Sequence, residues 1–210
     1  MENKNIAYSG TPLNDATYAL ILIHGRGASA EGILSLASQF NLQDTAILAP
    51  QAASNSWYPQ SFIAPVSSNQ PELDQGLQTI HQLVADINAA GIENSHIVFC
   101  GFSQGACLAL EYTARHADRY AGLIAFTGGL IGKDIELENY SGDFNQTPVL
   151  LTTSNPDPHV PYQRVQESVE ILESMHAQVL LRAFPGKPHN ITPQEISLAK
   201  QTVFDSLVKK

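Results

Sequence analysis

Residues 98–105 read V-F-C-G-F-S-Q-G, and the rest of the chain can be interpreted outward from this stretch. The residues before its serine, 96–100, are β-branched, aromatic and apolar, which is typical of a buried strand. Those after it, 104–116, carry apolar residues at helical spacing. The glycines two positions before and after Ser103 lack a Cβ, so strand and helix can approach closely. The G-x-S-x-G pattern predicts a strand, a sharp turn and a helix, with the Ser103 hydroxyl presented at the turn as a nucleophile.

Other apolar runs of strand length alternate with helix-like segments along the chain. The runs comprise residues 18–24, 46–49, 97–100, 122–126, 149–152 and 179–184. Most are nearly continuous rather than alternating, as expected for a parallel sheet covered on both faces. Helical spacing occurs in residues 73–87, 165–172 and 196–207. This alternation predicts a doubly wound, mostly parallel α/β sheet with helices on both faces, in one domain over residues 1–210.

The composition of the 210 residues is that of an ordinary globular protein, with 43% apolar and 15% charged residues. The formal net charge is −9 and the sequence pI is about 5.1. A negatively charged protein is repelled by the phosphates of nucleic acids and by anionic lipid surfaces. We therefore expect neither nucleic acid nor an anionic membrane as a partner.

The sequence also predicts a cytoplasmic protein without stable membrane insertion. Residues 1–10 lack the apolar core of a signal peptide, and no apolar run approaches the roughly 20 residues that span a bilayer. The two cysteines, Cys100 and Cys107, are too few for a disulfide framework, so buried free thiols are expected. Cys100 is a weak alternative nucleophile, because Ser103 occupies the turn.

Two irregular stretches, residues 51–70 and 128–147, follow strand-like runs. Loops beyond the carboxyl ends of strands build the ligand site in open α/β sheets, so these stretches are predicted to wall a pocket. The side chains predicted to line an apolar pocket are Trp57, Tyr58, Phe62, Leu130 and Ile131. The alternative is that the stretches are surface connections whose aromatic side chains pack onto the core.

A serine hydroxyl is a weak nucleophile and needs a positioned base. After a turn of this kind, the partners follow in the order Asp or Glu, then His. His189 lies in F-P-G-K-P-H-N, directly after the last strand-like run, where prolines and a glycine force a loop. His116 and His176 are expected to cover surface. His159 is the rival base, but its position two residues from the candidate acid Asp157 limits its reach across the cleft, so His189 is favoured.

Asp157 is the leading candidate for the carboxylate that orients the base. It lies in S-N-P-D-P-H-V-P, directly after a strand-like run, and the flanking prolines limit its backbone freedom. The irregular stretch one strand earlier supplies the alternatives Asp134, Glu136 and Asp143.

A serine that attacks a carbonyl also needs donors for the oxyanion of the tetrahedral intermediate. The backbone N–H after the nucleophile, that of Gln104, supplies one. A second is expected from the loop after an earlier strand, where L-I-L-I-H-G-R-G-A-S indicates the N–H of Arg26. The alternative is that the glycines of this loop serve only the turn. His24 is predicted to be a structural histidine that holds the loop.

Five motifs occur in order: H-G-R-G-A-S, P-Q-A-A-S-N-S-W-Y-P, G-F-S-Q-G-A, D-P-H-V-P and G-K-P-H. With them, nearly the whole chain resembles the phospholipase/carboxylesterase family of α/β-hydrolases, which includes bacterial carboxylesterases, lysophospholipase-like enzymes and acyl-protein thioesterases. The resemblance implies an α/β-hydrolase fold and neither a metal nor an organic cofactor. The short sequence has no insertion that would form a lid domain. It assigns Ser103, Asp157 and His189 as a catalytic triad, and Arg26 and Gln104 as the oxyanion hole.

The chain departs from the family pattern at two places. Members often carry a glycine shortly before the acid, where this chain has Ser154, Asn155 and Pro156, and many carry Leu where this chain has Arg26. The backbone N–H is the group used there, so activity is expected to survive, while a cationic side chain beside the pocket could change substrate preference. The sequence thus predicts a serine hydrolase of small-molecule esters or thioesters that acts through an acyl-enzyme on Ser103, with a homodimer possible by fold-level analogy. Two alternatives stay open: a dienelactone-hydrolase-like lactone hydrolase, and a hydrolase-fold protein that binds a small apolar ligand with little turnover.

Overall fold

The computed structural model describes residues 5–207 and contains one sheet of seven strands. The strands are β1 (Ile6–Gly10), β2 (Tyr18–Ile23), β3 (Thr45–Pro50), β4 (Ile97–Phe102), β5 (Gly122–Phe126), β6 (Pro148–Asn155) and β7 (Gln178–Pro185). Their order in the sheet is β1-β3-β2-β4-β5-β6-β7. β1 is antiparallel to β3, and every other neighbouring pair of these strands is parallel. The predicted mostly parallel sheet is confirmed.

Helices connect the parallel strands. They are α1 (Ala30–Leu34), α2 (Glu72–Ala89), α3 (Gln104–Arg115), α4 (Tyr162–Ser174), α5 (Pro193–Ala199) and α6 (Asp205–Leu207). A π-helical segment, Lys200–Phe204, joins α5 to α6, so the helical region predicted at residues 196–207 is divided. Short 3₁₀ turns lie at Leu13–Asp15, Ser35–Gln39, Ala53–Asn55, Val66–Asn69, Asn94–His96 and Leu137–Asn139. Within residues 5–207, no helix combines the length and the hydropathy that a bilayer-spanning segment requires.

Each face of the sheet carries its own apolar core, because successive residues of a strand point to opposite faces. On one face, Ile21 and Ile23 of β2 pack with buried residues of α2, α3 and α4. On the other face, Leu20 and Leu22 pack with buried residues of α1, α5 and the π-helical segment. The predicted doubly wound arrangement, with helices on both faces, is therefore confirmed.

The sequence does not predict the edge strand β1. Its residues are half-buried or exposed, and Tyr8 keeps 50% of its surface exposed. An antiparallel edge strand needs no continuous apolar run, so hydrophobic periodicity carries little signal for it. Backbone pairing likewise extends β6 to Asn155, three residues beyond the predicted apolar run, because its register with β7 continues to that position.

The loops that carry the predicted site residues leave the sheet at one edge. β2, β4, β6 and β7 run in the same direction, so their carboxyl ends meet there. Arg26 follows β2, Ser103 follows β4, Asp157 follows β6 and His189 follows β7. The topology therefore brings together residues that are up to 163 positions apart in the chain, from Arg26 to His189.

Candidate active site

Ser103 lies on a sharp turn between β4 and α3. Its backbone has φ of 54° and ψ of −118°, a conformation that residues with a side chain rarely adopt. The N–H of Ser103 donates a hydrogen bond of 3.0 Å to the carbonyl of Phe126 at the end of β5. Such strain persists only where the surrounding structure holds it, and it occurs preferentially at functional sites.

The close approach of α3 to the sheet requires two glycines. A Cβ at Gly101 would collide with the carbonyl of Gly105, and a Cβ at Gly105 would collide with the carbonyl of Ile23 on β2. Neither collision can be relieved by moving a side chain, because the obstructing atoms belong to the backbone. The two glycines thus place the first turn of α3 directly beside the end of β2.

A continuous row of hydrogen bonds joins Ser103, His189 and Asp157. His189 Nε2 lies 2.8 Å from Ser103 Oγ, and His189 Nδ1 lies 2.9 Å from Asp157 Oδ2. An ionised carboxylate only accepts hydrogen bonds, so the N–H at Nδ1 donates the hydrogen bond to Asp157. Nε2 of the neutral ring is then free to accept the hydroxyl proton of Ser103.

The carboxylate of Asp157 is fully buried and receives three hydrogen bonds. Its Oδ1 accepts from the backbone N–H of His159 at 2.9 Å and of Val160 at 3.0 Å, while His189 binds Oδ2. Burial acts to raise the pKa of Asp157, but these hydrogen bonds together hold the pKa below its ordinary value. The group is therefore suited to remain a carboxylate beside His189.

The structure does not bring the other histidines to Ser103. His159 is exposed, and its ring lies edge-on to that of His189, with centroids 5.0 Å apart. It lines the same cavity, but its described contacts with the row are this ring contact and a backbone hydrogen bond to Asp157. His116 and His176 are exposed, as predicted.

The alternative acids also lie away from the row. Asp134 and Glu136 are exposed, in the loop between β5 and β6. Asp143 binds His176 at the surface, with Oδ2 2.7 Å from Nδ1. Among the carboxylates considered from the sequence, Asp157 is the one placed against His189.

Arg26 and Gln104 both line the cavity that contains Ser103. Gln104 is the first residue of α3, and the first N–H groups of a helix have no intrahelical acceptor. The positive end of the helix dipole also lies at this point, which favours negative charge. The N–H of Gln104 is therefore suited to an oxygen that develops negative charge next to Ser103.

His24 and Trp57 fix the loop that follows β2. His24 Nδ1 donates to the carbonyl of Gly25 at 2.8 Å, and Nε2 accepts the N–H of Ala52 at 3.1 Å. The indole N–H of Trp57 donates to the carbonyl of His24 at 2.9 Å. Burial lowers the pKa of His24, against an opposing effect of its hydrogen bond to Gly25, so the neutral ring is favoured. These contacts give His24 the structural position that the sequence predicts.

The side chain of Arg26 is directed onto the loop formed by residues 56–60. Its guanidinium donates to Oγ of Ser56 at 3.1 Å, and to the carbonyls of Pro59 and Gln60 at 2.9 and 2.6 Å. It also lies over the ring of Tyr58, 5.9 Å from the centroid. The Arg26 guanidinium, which the sequence places beside the pocket, is thus hydrogen-bonded to this loop.

The cavity beside Ser103 has a volume of about 810 Å³. Tyr58 and Phe62 line it, in keeping with their predicted role. Apolar residues that the sequence does not predict also line it, among them Pro59, Ile63, Phe102, Val160 and Pro161. The motif D-P-H-V-P carries the signal for Val160 and Pro161, because it follows Asp157 at the same sheet edge.

Three predicted pocket residues, Trp57, Leu130 and Ile131, do not line this cavity and are buried in the core. Trp57 is turned inward by its indole hydrogen bond to the His24 carbonyl. The N–H of Leu130 donates to Ser168 Oγ, and that of Ile131 donates to the buried carboxylate of Glu111. The loop after β5 is therefore tied into the core, and the prediction is wrong for these three residues.

Neither cysteine is suited to act as the nucleophile. Cys100 is buried in strand β4, and Cys107 is buried on α3 at the wall of the cavity. Burial raises the pKa of the Cys107 thiol to about 12 and raises that of Cys100 further. Among the described residues, no three His, Cys, Asp or Glu side chains are grouped so that they could hold a metal ion.

A mostly parallel, doubly wound sheet with a serine on a strained turn after a central strand defines the α/β-hydrolase fold. The model of the phospholipase and carboxylesterase family matches residues 10–204, so the chain belongs to this family. It is accordingly a hydrolase of the esterase type.

Relatives and solved structures agree with this assignment. The chain is similar to the phospholipase/carboxylesterase from Dyadobacter fermentans DSM 18053, with 54% identity, a TM-score of 0.94, and coverage of 96% of this chain and 97% of that one. It is 24% identical to acyl-protein thioesterase 1 of Cryptococcus neoformans var. neoformans, covering 94% and 95% of the two chains. A probable carboxylesterase of Oryza sativa subsp. japonica is 28% identical over 63% of this chain, which spans about half (51%) of that protein.

Proposed function

We propose that the protein is a cofactor-independent serine hydrolase that cleaves carboxylic esters or thioesters through an acyl-enzyme on Ser103. The observation that carries the proposal is the row of hydrogen bonds from Ser103 through His189 to Asp157. A serine, a histidine and a carboxylate in this order are the groups needed to activate a hydroxyl for attack on a carbonyl.

In the first half of the reaction, Ser103 Oγ bonds to the acyl carbon while His189 Nε2 takes the hydroxyl proton. The electron pair of the carbonyl moves to its oxygen, which the N–H groups of Arg26 and Gln104 would stabilise. Losing one donor of this kind costs ~3 kcal/mol of transition-state stabilisation. Asp157, whose pKa is held low, stabilises the imidazolium that forms.

The first half ends when the bond from the acyl carbon to the leaving oxygen or sulfur breaks, and His189 gives its proton to the leaving group. The second half hydrolyses the acyl-enzyme. Water then enters, loses a proton to His189 and attacks the acyl-enzyme. Collapse of this second tetrahedral intermediate releases the carboxylic acid and returns the proton to Ser103 Oγ. Each proton taken up by His189 is thus released within the same half-reaction.

The cavity favours a small or medium-sized apolar substrate as the binding partner. Aromatic and aliphatic side chains such as Tyr58, Phe62 and Ile63 form part of its wall beside the polar groups around Ser103, and its volume of about 810 Å³ lies within the range of small-molecule sites. The Arg26 guanidinium, which could bind an anionic group, is engaged by the loop at residues 56–60. The names of the relatives, carboxylesterase and acyl-protein thioesterase, support both ester and thioester substrates.

The decisive variant is Ser103→Ala, assayed with p-nitrophenyl acetate and p-nitrophenyl butyrate. We expect turnover to fall by at least three orders of magnitude, because the nucleophile is removed. Ser197→Ala, which alters an exposed serine on α5, is the matched control and should retain wild-type turnover. Residual activity of Ser103→Ala within tenfold of wild type would exclude Ser103 as the nucleophile. A chain-length series of p-nitrophenyl esters, assayed beside an acyl-CoA, then defines the acyl group and the preferred leaving atom.

A further inference from the structure

The ammonium group of Lys187 lies inside the loop that carries His189, residues 186–190, called here the His189 loop. Only 6% of the Lys187 side chain is exposed, although lysine normally lies at the surface. Its Nζ donates to the carbonyls of Pro188 and Asn190, the sequence neighbours of His189. The N–H of Asn190 donates to the carbonyl of Pro188 at 2.8 Å. The His189 loop is therefore folded around a buried positive charge.

Glu195, in the first turn of α5, supplies the opposite charge. Its side chain is fully buried, and its Oε2 lies 3.4 Å from Lys187 Nζ. The same oxygen accepts hydrogen bonds from the N–H and the hydroxyl of Thr192, at 2.8 and 2.9 Å. Oε1 accepts the hydroxyl of Thr152 at 2.6 Å. All of these neighbours are donors, as a carboxylate acceptor requires.

Through these contacts Glu195 links the elements that carry the proposed acid and the proposed base. Thr152 lies on β6, the strand that leads to Asp157, and Lys187 belongs to the His189 loop. We propose that Lys187 and Glu195 are positioning residues whose buried ion pair sets the His189 loop against Asp157 and Ser103. This inference rests on the proposed role of His189 as the general base.

The physical reason lies in the cost of leaving a buried charge without its partner. Several residues of the His189 loop are exposed, including Gly186, Pro188 and Asn190. A lysine without Glu195 would move its ammonium to water, and the two carbonyls that it binds would lose their anchor. A shift of about 1 Å in the base is enough to cost roughly 100-fold in rate.

The first test is Lys187→Met, which removes the charge but leaves the hydrogen bonds of Glu195 to Thr152 and Thr192 in place. We expect kcat for p-nitrophenyl butyrate to fall by roughly 10- to 100-fold, with little change in KM, because the substrate cavity is lined by other residues. We also expect the far-downfield proton resonance of His189 Nδ1–H, which reports the hydrogen bond to Asp157, to broaden or disappear. Lys133→Met, at an exposed lysine, should change neither kcat nor this resonance.

The second test compares Glu195→Gln with the double variant Lys187→Met, Glu195→Gln. Glu195→Gln leaves the ammonium unpaired, so both the thermal midpoint and kcat should fall, whereas Glu173→Gln, at an exposed glutamate, should change neither. The double variant removes both charges and should recover much of the thermal midpoint while kcat stays low. If Glu195→Gln does not fold, Lys187→Met still decides the question. The inference is overturned if, in Lys187→Met, both kcat and the line width of the His189 resonance stay within twofold of wild type. It is also overturned if kcat recovers fully in the double variant.

The same assays separate this inference from the proposed function. Ser103→Ala and His189→Ala should each abolish turnover if Ser103 and His189 form the reacting pair. Retained turnover in those two variants would remove the basis of both proposals. Loss of turnover in them, together with wild-type kcat in Lys187→Met, would remove only the positioning role of the ion pair.

Discussion

The side chain of Gln104 accepts a hydrogen bond of 2.9 Å from the backbone N–H of Trp57 and donates one of 2.8 Å to the carbonyl of Tyr58. Gln104 borders the cavity at Ser103, as do Tyr58, Pro59 and Gln60 of the loop at residues 56–60. The residue that offers its own N–H to the proposed oxyanion therefore also holds the cavity wall.

Gln104→Ala is expected to separate these two roles. The backbone N–H stays, but the N–H of Trp57 is left buried without an acceptor, which costs about 1–3 kcal/mol. We predict a lower free energy of unfolding in urea and a raised KM for p-nitrophenyl butyrate. An unchanged free energy of unfolding would show that the loop does not depend on this side chain.

Arg26→Leu tests whether the backbone at this position acts independently of its side chain. The substitution keeps the N–H but removes the guanidinium contacts to Ser56, Pro59 and Gln60. We predict that KM rises, because the cavity wall loosens, while kcat falls by less than tenfold, since losing the donor itself would cost ~3 kcal/mol. Steady-state kinetics with p-nitrophenyl butyrate measure both constants. A fall in kcat above 100-fold would mean that the side chain takes part in the reaction.

A pair of glycine substitutions tests the packing of α3 against β2. In Gly105→Ala the new Cβ meets the carbonyl of Ile23, so a loss of roughly 1–3 kcal/mol or more is expected from overpacking. In Gly76→Ala, on α2, the new Cβ meets Leu108 and Trp57 at ordinary contact distances of 3.5 Å. That helical substitution should instead stabilise the fold by roughly 0.5–1 kcal/mol. Urea unfolding measures the change in the free energy of unfolding for both variants. Equal changes in the two would contradict the close approach of α3 to β2 at Gly105.

The lowered pKa of Asp157 predicts a specific pH dependence of stability. In the folded protein the pKa of Asp157 lies below the ordinary value of 3.8, so Asp157 of the unfolded chain is protonated first as pH falls. The ionised Asp157 therefore stabilises the folded protein above pH 3.8, and this stabilisation is lost as pH drops through the folded-state pKa of Asp157. Urea unfolding of wild type and Asp157→Asn between pH 3 and 6 measures it, and contributions such as that of Asp143 cancel in the difference. The two proteins should approach each other in stability at the acid end, and a constant difference would contradict the assignment.

Asp157→Asn also tests the orientation of His189. The amide cannot serve as a charged acceptor for Nδ1–H, and the tautomer that leaves Nε2 free is no longer favoured. We predict a loss of turnover of roughly 10²- to 10⁴-fold with the fold retained. Asp134→Asn, which changes an exposed carboxylate, is the matched control. A larger loss in the Asp134 variant would place the acid in the loop after β5.

The sheet and the sharp turn at Ser103 can be predicted from the sequence because their causes are local. Continuous apolar runs identify strands buried on both faces, and Gly101 and Gly105 mark the close approach of α3 to the sheet. The edge strand β1 cannot be predicted in this way, because an exposed edge strand needs no apolar pattern. The sequence leaves the burial of Trp57 open as an alternative and does not predict that of Ile131, because each depends on a hydrogen bond to a distant residue, His24 or Glu111, which no local pattern encodes.

The position of His189 illustrates the same limit within the candidate site. Its place after the last strand could be predicted from the loop residues around it. The ion pair between Lys187 of this loop and Glu195 of α5 cannot be predicted, because nothing in the sequence distinguishes these two residues from ordinary surface charges. Their burial appears only when β6, α5 and the loop are assembled.

The central claim, that Ser103 becomes acylated, is tested most directly by rapid acid quenching during turnover of p-nitrophenyl butyrate, followed by mass spectrometry of the intact protein and its peptides. We predict a mass increase of one butyryl group on the peptide that contains Ser103, and no such adduct in His189→Ala. A butyryl group found on Cys107 or another residue, or turnover with no adduct while Ser103→Ala remains active, would contradict the account.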